Sequence, residues 1–442
     1  MAATRPADRP EPPQGARLTV CTACPMLCDD VAVGPNASAG SASITGSVLI
    51  SGACDHGRRA IGAVLGRHAG MARPDADRLP EATISGRTAS RSEAIRAAVG
   101  LLADARRVVV TGLADATLSA QRLAASLAER LGGGFDTGSR DGRLLTGPSI
   151  ARAGEVTAQW EELRDRADLV VLWFTDPAAS HPRFVERFLA DDVAGSPRTI
   201  LSVGPVRPAL PAGMDCEHLA AEAAESVELA RAIEAEDDAR PSASRILGAI
   251  RSAKCAAIVT GEGDSIGLDR WAVARLMRRL AHRGPAFEIP LGPGILAGGG
   301  NAAGAAAVAT WRHGAAGAIA AACDRGGRFE PAEADGERLV ARGDADLLLV
   351  VGGLSDSMRR AVSEATRSQA LRETDVVWLG AEPESVVAGS RRTVFVRTAG
   401  TLLESDGQML REDGRLVTLL PLLAPDSPSL EDVLARLRED LP

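Results

Sequence analysis

The sequence predicts an α/β protein in which a small β-rich module with four cysteines precedes doubly wound α/β lobes. Two observations support this fold class. Four of the seven cysteines lie within the first 54 residues. From about residue 92 onward, amphipathic segments with helical spacing alternate with short apolar runs of the kind that form buried parallel strands. Such alternation is typical of parallel sheets that carry helices on both faces.

Chain length and composition indicate the domain organisation. With 442 residues, the chain exceeds the ~250–300 residues at which a single hydrophobic core stops growing, so we expect several lobes. Apolar residues make up 45% of the sequence, which is enough for buried cores. The predicted units are a flexible tail at 1–16, a four-cysteine iron–sulfur-type module at 17–75, an α/β lobe at 76–160 plus 285–442, and an inserted α/β lobe at 161–284.

The composition also argues against two classes of partner. A formal net charge of −8 disfavours nucleic acid, whose phosphates require a concentrated basic surface. No apolar run approaches the ~20 residues that cross a bilayer. Residues Met1 to Ala16 are rich in proline and charge and lack the apolar core of a secretory signal. The sequence therefore predicts a cytoplasmic protein that binds neither nucleic acid nor membranes.

The N-terminal module is defined by its cysteine spacing. Two residues separate Cys21 from Cys24, three separate Cys24 from Cys28, and 25 lie between Cys28 and Cys54. Three closely spaced thiolates with a distant fourth are typical of a cubane iron–sulfur cluster, so we predict a [4Fe-4S] site. A structural four-cysteine zinc site and a vestigial site that holds nothing are the alternatives.

The elements follow from local patterning. Short alternating segments at 31–33 and 43–45 predict strands in the module. Beyond a polar connection, the order helix, strand, Thr-Gly, helix occurs twice, around Thr111-Gly112 and Thr260-Gly261, which suggests two homologous α/β units. Further apolar strands are predicted at 167–174, 198–203, 346–351, 375–379 and 393–396.

Ligands of parallel sheets lie beyond the carboxyl ends of the strands. Four polar residues, Asp176, Ser180, His181 and Arg183, follow the buried strand at 167–174. They are candidates for contacts with a ligand or carrier. The alternative is a structural role, with His181 capping a helix or bridging two lobes.

Two glycine-rich loops occur at 298–301 and 351–354. Their backbone N–H groups could approach a phosphate, or the loops could pack closely against a helix. Neither loop matches a Walker A or Gly-x-Gly-x-x-Gly motif.

The cysteine spacing followed by βα units resembles the molybdopterin-dependent oxidoreductases. More closely, several motifs resemble the B-type subunit of formylmethanofuran dehydrogenase. They are Cys-Pro-Met-Leu-Cys-Asp-Asp at 24–30, Trp-Phe-Thr-Asp-Pro at 173–177, Ser-His-Pro-Arg at 180–183, Val-Ala-Thr-Trp at 308–311 and the segment 404–414. The resemblance implies domains I–III of the molybdopterin-oxidoreductase fold without its C-terminal barrel. It also implies a [4Fe-4S] cluster beside Mo or W held by bis-molybdopterin guanine dinucleotide.

Three departures from that family bear on the metal. The cysteine or selenocysteine that ligates Mo or W is replaced at or near Leu118 and Ser119, and leucine cannot coordinate a metal. Gly204 stands in the loop where the family presents an acidic group to the pterin nucleotide. No arginine occurs between Phe287 and Trp311, where the family places one in its active site. The resemblance therefore predicts that the Mo or W pterin is absent.

With these losses the chain resembles the B-type subunit of the bacterial formyltransferase/hydrolase complex of one-carbon metabolism. The resemblance implies a non-redox scaffold, not itself catalytic, in a complex with a formyltransferase subunit, an amidohydrolase subunit and a C-type subunit. Such a complex moves the formyl group from formyl-tetrahydromethanopterin to a methanofuran-like carrier and hydrolyses it to formate. The alternatives are the B-type subunit of a formylmethanofuran dehydrogenase with Mo or W redox catalysis, and an electron-transfer iron–sulfur subunit.

Overall fold

The computed structural model is of mixed α/β class, as the sequence predicts. Most of the predicted tail and the predicted strand at 43–45 lie outside the described residues. None of the described helices is long and apolar enough to cross a membrane. The described residues are 12, 14–35, 48–71, 79–138, 154–190, 193, 197–261, 268–321 and 326–442.

Each of the five apolar strands predicted at 167–174, 198–203, 346–351, 375–379 and 393–396 overlaps a strand of the structure. The predicted helix at 118–131 is confirmed at those bounds. The strands are β1 Arg17–Thr19, β2 Val31–Pro35, β3 Val48–Ser51, β4 Ala82–Ile84, β5 Arg87–Thr88, β6 Val108–Gly112, β7 Gly134–Phe135, β8 Leu169–Trp173, β9 Thr199–Gly204, β10 Glu217–Ala220, β11 Ala256–Thr260, β12 Ala286–Pro290, β13 Ile319–Ala320, β14 Arg328–Phe329, β15 Leu347–Val351, β16 Asp375–Gly380, β17 Thr393–Arg397, β18 Gln408–Leu410 and β19 Leu416–Thr418. The α-helices are α1 Asp55–Met71, α2 Arg91–Asp104, α3 Leu118–Leu131, α4 Trp160–Arg166, α5 Pro177–Ser180, α6 Phe184–Phe188, α7 Ser226–Ala235, α8 Pro241–Ser252, α9 Leu268–Ala281, α10 Ala302–His313, α11 Pro331–Ala334, α12 Gly336–Arg342, α13 Asp356–Arg367 and α14 Leu430–Asp440.

A five-stranded sheet has the order β10-β9-β8-β11-β12, and its neighbouring strands all run parallel. Strand β8 is buried throughout, which explains its continuous apolar sequence. Strand β9 lies on one side of β8, and β11, which comes later in the chain, lies on the other side. A crevice is therefore expected beyond the carboxyl ends of β8, β9 and β11. Strand β12 belongs to this sheet, although the sequence analysis assigned residues from 285 onward to the other lobe.

A nine-stranded sheet has the order β14-β13-β7-β6-β15-β16-β17-β4-β5. Its five central strands run parallel, whereas the strands at both edges are antiparallel. After β6 the chain adds β7 on one side of it, whereas β15, β16 and β17 are added on the other side. The loops that follow β6 and β15 therefore flank the second place where a ligand would be sought.

The N-terminal module combines the antiparallel sheet β1-β2-β3 with helix α1. Its buried side chains, such as Met26, Val31 and Ile61, share one hydrophobic core with Trp160 and Phe184 of the five-stranded unit. Helix α1 is not predicted from the sequence. The helix contains four glycines, at 57, 62, 66 and 70, and each disfavours helix by about 1 kcal/mol relative to alanine.

Candidate functional site

The four cysteines of the predicted motif line one small cavity. Cys21, Cys24 and Cys28 lie between β1 and β2 and are buried. The amide of Cys21 donates a hydrogen bond of 2.9 Å to the carbonyl of Cys28, which closes this loop on itself. Cys54 lies between β3 and α1 and is half-buried. The fold therefore brings the distant fourth cysteine to the other three.

The four thiols lie close enough to influence one another's ionisation. Burial raises the pKa of Cys21 to about 12 and that of Cys24 well above its usual range. Negative charge on Cys28, Cys21 and Cys54 would raise the pKa of Cys24 further. Neutral thiols are thus favoured here, and a metal would have to displace their protons to bind.

Two arginines supply positive charge beside this cavity. Arg183 donates two hydrogen bonds, of 2.7 and 2.8 Å, to the carboxylate of Asp30. Arg187 donates one of 2.9 Å to Asp29. Burial raises the pKa of Cys28, and the charges of Arg187 and Arg183 oppose that effect. The module carboxylates therefore hold both guanidinium groups near the thiols.

Four thiols that converge on one cavity suit either a [4Fe-4S] cluster or a structural zinc ion. Either group is anionic when four thiolates hold it, and the two arginines would offset that charge. Among the residues that the structure describes, no three His, Cys, Asp or Glu side chains are already arranged around one point as ligands of a single metal ion.

Gly57 allows the first turn of α1 to approach the cavity. A Cβ atom there would lie 3.0 Å from Sγ of Cys21 and 3.8 Å from Sγ of Cys54. We expect Gly57→Ala to displace the Cys21 thiol and to lose most of the iron and sulfide bound after anaerobic reconstitution. The control is Gly62→Ala on the same helix, because open space surrounds that position. Equal iron in the two variants would contradict this prediction.

Of the four residues predicted after β8, only Arg183 lines the cysteine cavity. The side chain of Asp176 accepts a hydrogen bond from the amide of Ala178 in the first turn of α5. Ser180 Oγ lies 2.9 Å from Nδ1 of His181. His181 is fully buried, and its Nε2 lies 2.8 Å from Oε2 of Glu412. His181 thus joins the five-stranded unit to the turn between β18 and β19, the bridging alternative of the sequence analysis.

That turn also carries an ion-pair network that sequence reasoning missed. Buried Arg411 binds Glu161 and Asp413 and lies 4.9 Å from the ring centroid of Trp160. Arg415 binds Glu161 at 2.5 Å and reaches Asp29 of the module at 3.3 Å. The residues 411–415, which we call the C-terminal clamp, therefore tie the module to helix α4.

The three positions that depart from the dehydrogenase pattern, Leu118, Ser119 and Gly204, lie at two separate places. Leu118 begins α3, and its side chain packs against the core of the nine-stranded unit. Ser119, the next residue, is exposed. Gly204 ends β9 with a φ of +152°, and a Cβ there would lie 3.4 Å from Cα of Phe174. None of these residues offers a metal ligand.

Two buried side-chain amides, those of Asn301 and Gln121, hold the loop that precedes Leu118. Nδ2 of Asn301 donates 2.7 Å to the carbonyl of Ala116, and Oδ1 of Asn301 accepts 2.8 Å from the amide of Leu410. Nε2 of Gln121 donates to the carbonyls of Leu113 and Asn301, 2.8 Å in each case. This network joins the loops that follow β6 and precede α10.

The glycine-rich loop at 298–301 fills the space beyond β6 and β15. A Cβ on Gly298 would overlap the carbonyl oxygen of Leu354, and one on Gly299 would overlap that of Ala114. A Cβ on Gly300 would lie 2.9 Å from the carbonyl oxygen of Thr22. These contacts favour the close-packing alternative over a phosphate site. The residues at this strand end do not fit a Mo or W pterin.

A chain of polar side chains links the loop between β6 and α3 to the module. Oδ1 of Asp115 accepts a hydrogen bond from the hydroxyl of Thr401, which lies 3.0 Å from the hydroxyl of Thr22. Burial raises the pKa of Asp115 to about 6 from 3.8, and the nearby charge of Glu404 acts in the same direction. Asp115 is the most strongly perturbed carboxylate at this junction.

This shift predicts a pH-dependent stability. A folded-state pKa above the unfolded value means that the native state binds more protons between about pH 4 and 6, so the free energy of unfolding should fall as pH rises through that range. The expected loss is about 2–3 kcal/mol. Asp115→Asn keeps an acceptor for Thr401 and should remove this dependence. Urea unfolding at pH 4.5 and 7.5 tests it, and parallel pH profiles for both proteins would contradict it.

Comparison with known proteins gives a structural neighbour. No family model and no curated protein matches this sequence. The fold is similar to that of a chain in the X-ray crystal structure of the formyltransferase/hydrolase complex (FhcABCD) from Methylorubrum extorquens in complex with methylofuran. The TM-score is 0.66 at 21% identity, and the match covers 81% of this chain and 98% of that chain. The chain thus shares its fold with a component of that complex.

Proposed function

We propose that this chain is the non-redox scaffold, the B-type subunit, of a formyltransferase/hydrolase complex. The fold similarity supports the complex. The single observation that carries the non-redox role is the closed strand end after β6, where Leu118 lies against the core and Asn301 binds the preceding loop. A dehydrogenase would need a metal ligand and a cofactor-sized space at this point.

A scaffold contributes by position rather than by chemistry. The proposed partners are a formyltransferase subunit, an amidohydrolase subunit and a C-type subunit. In this function a methanofuran-like carrier receives the formyl group from formyl-tetrahydromethanopterin at one partner and delivers it to the other for hydrolysis to formate. Holding both sites within reach of one tethered carrier raises its effective concentration at each.

We also propose that Cys21, Cys24, Cys28 and Cys54 hold a [4Fe-4S] cluster with a structural role. When bound, a cluster supplies a one-electron redox centre and four covalent links to the protein. In this chain the links would join the β1–β2 loop to the start of α1. Arg183 and Arg187 would balance its charge from the neighbouring unit. Metal binding would then contribute directly to folding.

Metal analysis of the anaerobically purified complex tests both proposals. We expect iron and sulfide bound to this chain, and neither Mo nor W. Stoichiometric Mo or W with formate-dependent dye reduction would overturn the scaffold proposal in favour of a formylmethanofuran dehydrogenase. If Cys24→Ala assembles fully but abolishes turnover of the complex, the cluster is more than structural, and electron transfer becomes the better interpretation.

A further inference from the structure

We propose that Trp311 and Arg122 form the centre of a docking surface for another subunit of the complex, one that presents an apolar pocket and a carboxylate. This inference rests on the proposed function and names a contact surface for it. Trp311 is 67% exposed, whereas Trp160, Trp173 and Trp378 are buried. Tryptophan and arginine are among the residues most enriched where a few side chains dominate binding energy at protein interfaces.

The tryptophan is held in place by its neighbours. Cζ of Arg122, on α3, lies 5.3 Å from the centroid of the indole, and Cζ of Arg312 lies 5.9 Å from it. Cation–π contacts of this kind favour one ring orientation. A side chain that is already ordered loses less conformational entropy when a partner covers it. The exposed indole is thus prepared for binding.

The part of α10 that precedes Trp311 carries no charged side chain. From 302 to 310 the helix contains only alanine, glycine, valine and threonine. Its exposed residue Thr310 donates its hydroxyl to the carbonyl of Ala306, 2.8 Å, and therefore offers little polarity to water. A helix without a polar face is normally covered by protein. This face extends the apolar area that the indole begins.

The charges beside Trp311 indicate the partner's chemistry. Nε of Arg312 donates 2.8 Å to Oε1 of Glu129, so its charge is already neutralised within the chain. Arg122 is exposed and, within the part of the chain that the structure describes, has no carboxylate at salt-bridge distance. A partner that covers the indole must therefore place a carboxylate near Arg122, because a buried unpaired guanidinium is costly.

The same charges disfavour a second copy of this chain. A two-fold symmetric contact would place the patch against itself. Arg122 would then meet a surface on which Glu129 is already bound to Arg312. The patch is not self-complementary, so a different protein fits it better.

Two variants and one control test the surface. All subunits are co-expressed with each form of the chain, and the dissociation constant of the purified complex is measured. Trp311→Ala and Arg122→Glu should each weaken assembly at least about tenfold. Higher salt should reduce the effect of Arg122→Glu, because screening weakens the lost ion pair. The control is Val206→Ala, at an exposed residue after β9 on the other sheet, and it should assemble like the wild type.

Hydroxyl-radical footprinting of the wild-type complex adds a measurement that requires no variant. Oxidation of Trp311 should fall on assembly. Suppose that the wild type assembles, that Trp311 stays reactive in the complex, and that both variants assemble as tightly as the wild type. This inference is then wrong, while the proposed function stands. If the wild type does not assemble with these subunits, both are wrong. A dimer of the isolated chain that Trp311→Ala abolishes would identify a second copy as the occupant and would also overturn the inference.

Discussion

Arg183→Ala is expected to lower the free energy of unfolding by about 3 kcal/mol, the largest effect of any single charge removal at the cysteine site. The substitution leaves Asp30, whose side chain is 14% exposed, without its bidentate partner. Arg187 remains 3.7 Å from Asp30. The expected loss of unfolding free energy is therefore at the low end of the range for removing one partner of a buried ion pair. The carbonyl of Gly52 also loses its donor. Urea unfolding at pH 7 under anaerobic conditions measures the change.

Two further variants make this test specific. Arg183→Lys keeps the charge but cannot form the paired hydrogen bonds, so it should recover only part of the stability. Arg240→Ala removes a cation from an exposed ion pair with Glu228 and should cost less than about 1 kcal/mol. If Arg183→Ala is no more harmful than Arg240→Ala, the pair with Asp30 does not hold the module in place.

Asn301→Ala should destabilise the protein by about 2–4 kcal/mol, because two backbone groups each lose a hydrogen-bond partner at a cost of about 1–3 kcal/mol. The asparagine is fully buried and serves the carbonyl of Ala116 and the amide of Leu410. Urea unfolding measures the loss. Hydrogen exchange should also show faster opening of the loop before α3, since that loop loses one of its two amide anchors.

The control is Gln408→Ala on strand β18, next to the segment that Asn301 binds. Gln408 is exposed, and a surface substitution of this kind usually changes stability by less than about 0.5 kcal/mol. Equal stability of the two variants, with unchanged exchange at residues 113–117, would show that the Asn301 contacts do not keep this strand end closed.

The cysteine site was accessible to sequence reasoning because three of its thiols fall within eight residues, and the fourth belongs to the same small module. The strands β8 and β15 were equally accessible, since they are buried on both faces and therefore apolar throughout. Long parallel strands and closely spaced ligands both leave local patterns that a single sequence can show.

The long-range contacts around the module and beyond β6 leave no local sequence pattern. His181 and Glu412 are separated by 231 positions, and Asn301 and Ala116 by 185. Glu412 lies in the segment 404–414, which carries part of the family resemblance, but no local pattern there marks it as the partner of His181. Helix α1 was missed for a local reason, because its glycines oppose helix while contacts with the module core favour it. Tertiary packing determines these long-range contacts and helix α1, and the helix propensities of individual residues do not predict them.

The position of the C-terminal clamp has a consequence for synthesis on the ribosome. Glu161 emerges 250 residues before Arg411, its buried partner. At about 5–20 residues per second, translation takes about 12–50 s to cover that interval. Until then the first half of the chain carries Glu161 without Arg411 and Arg415, which bind it in the folded protein. A nascent chain stalled near residue 400 should therefore be cleaved more readily by protease in its first half than the released protein.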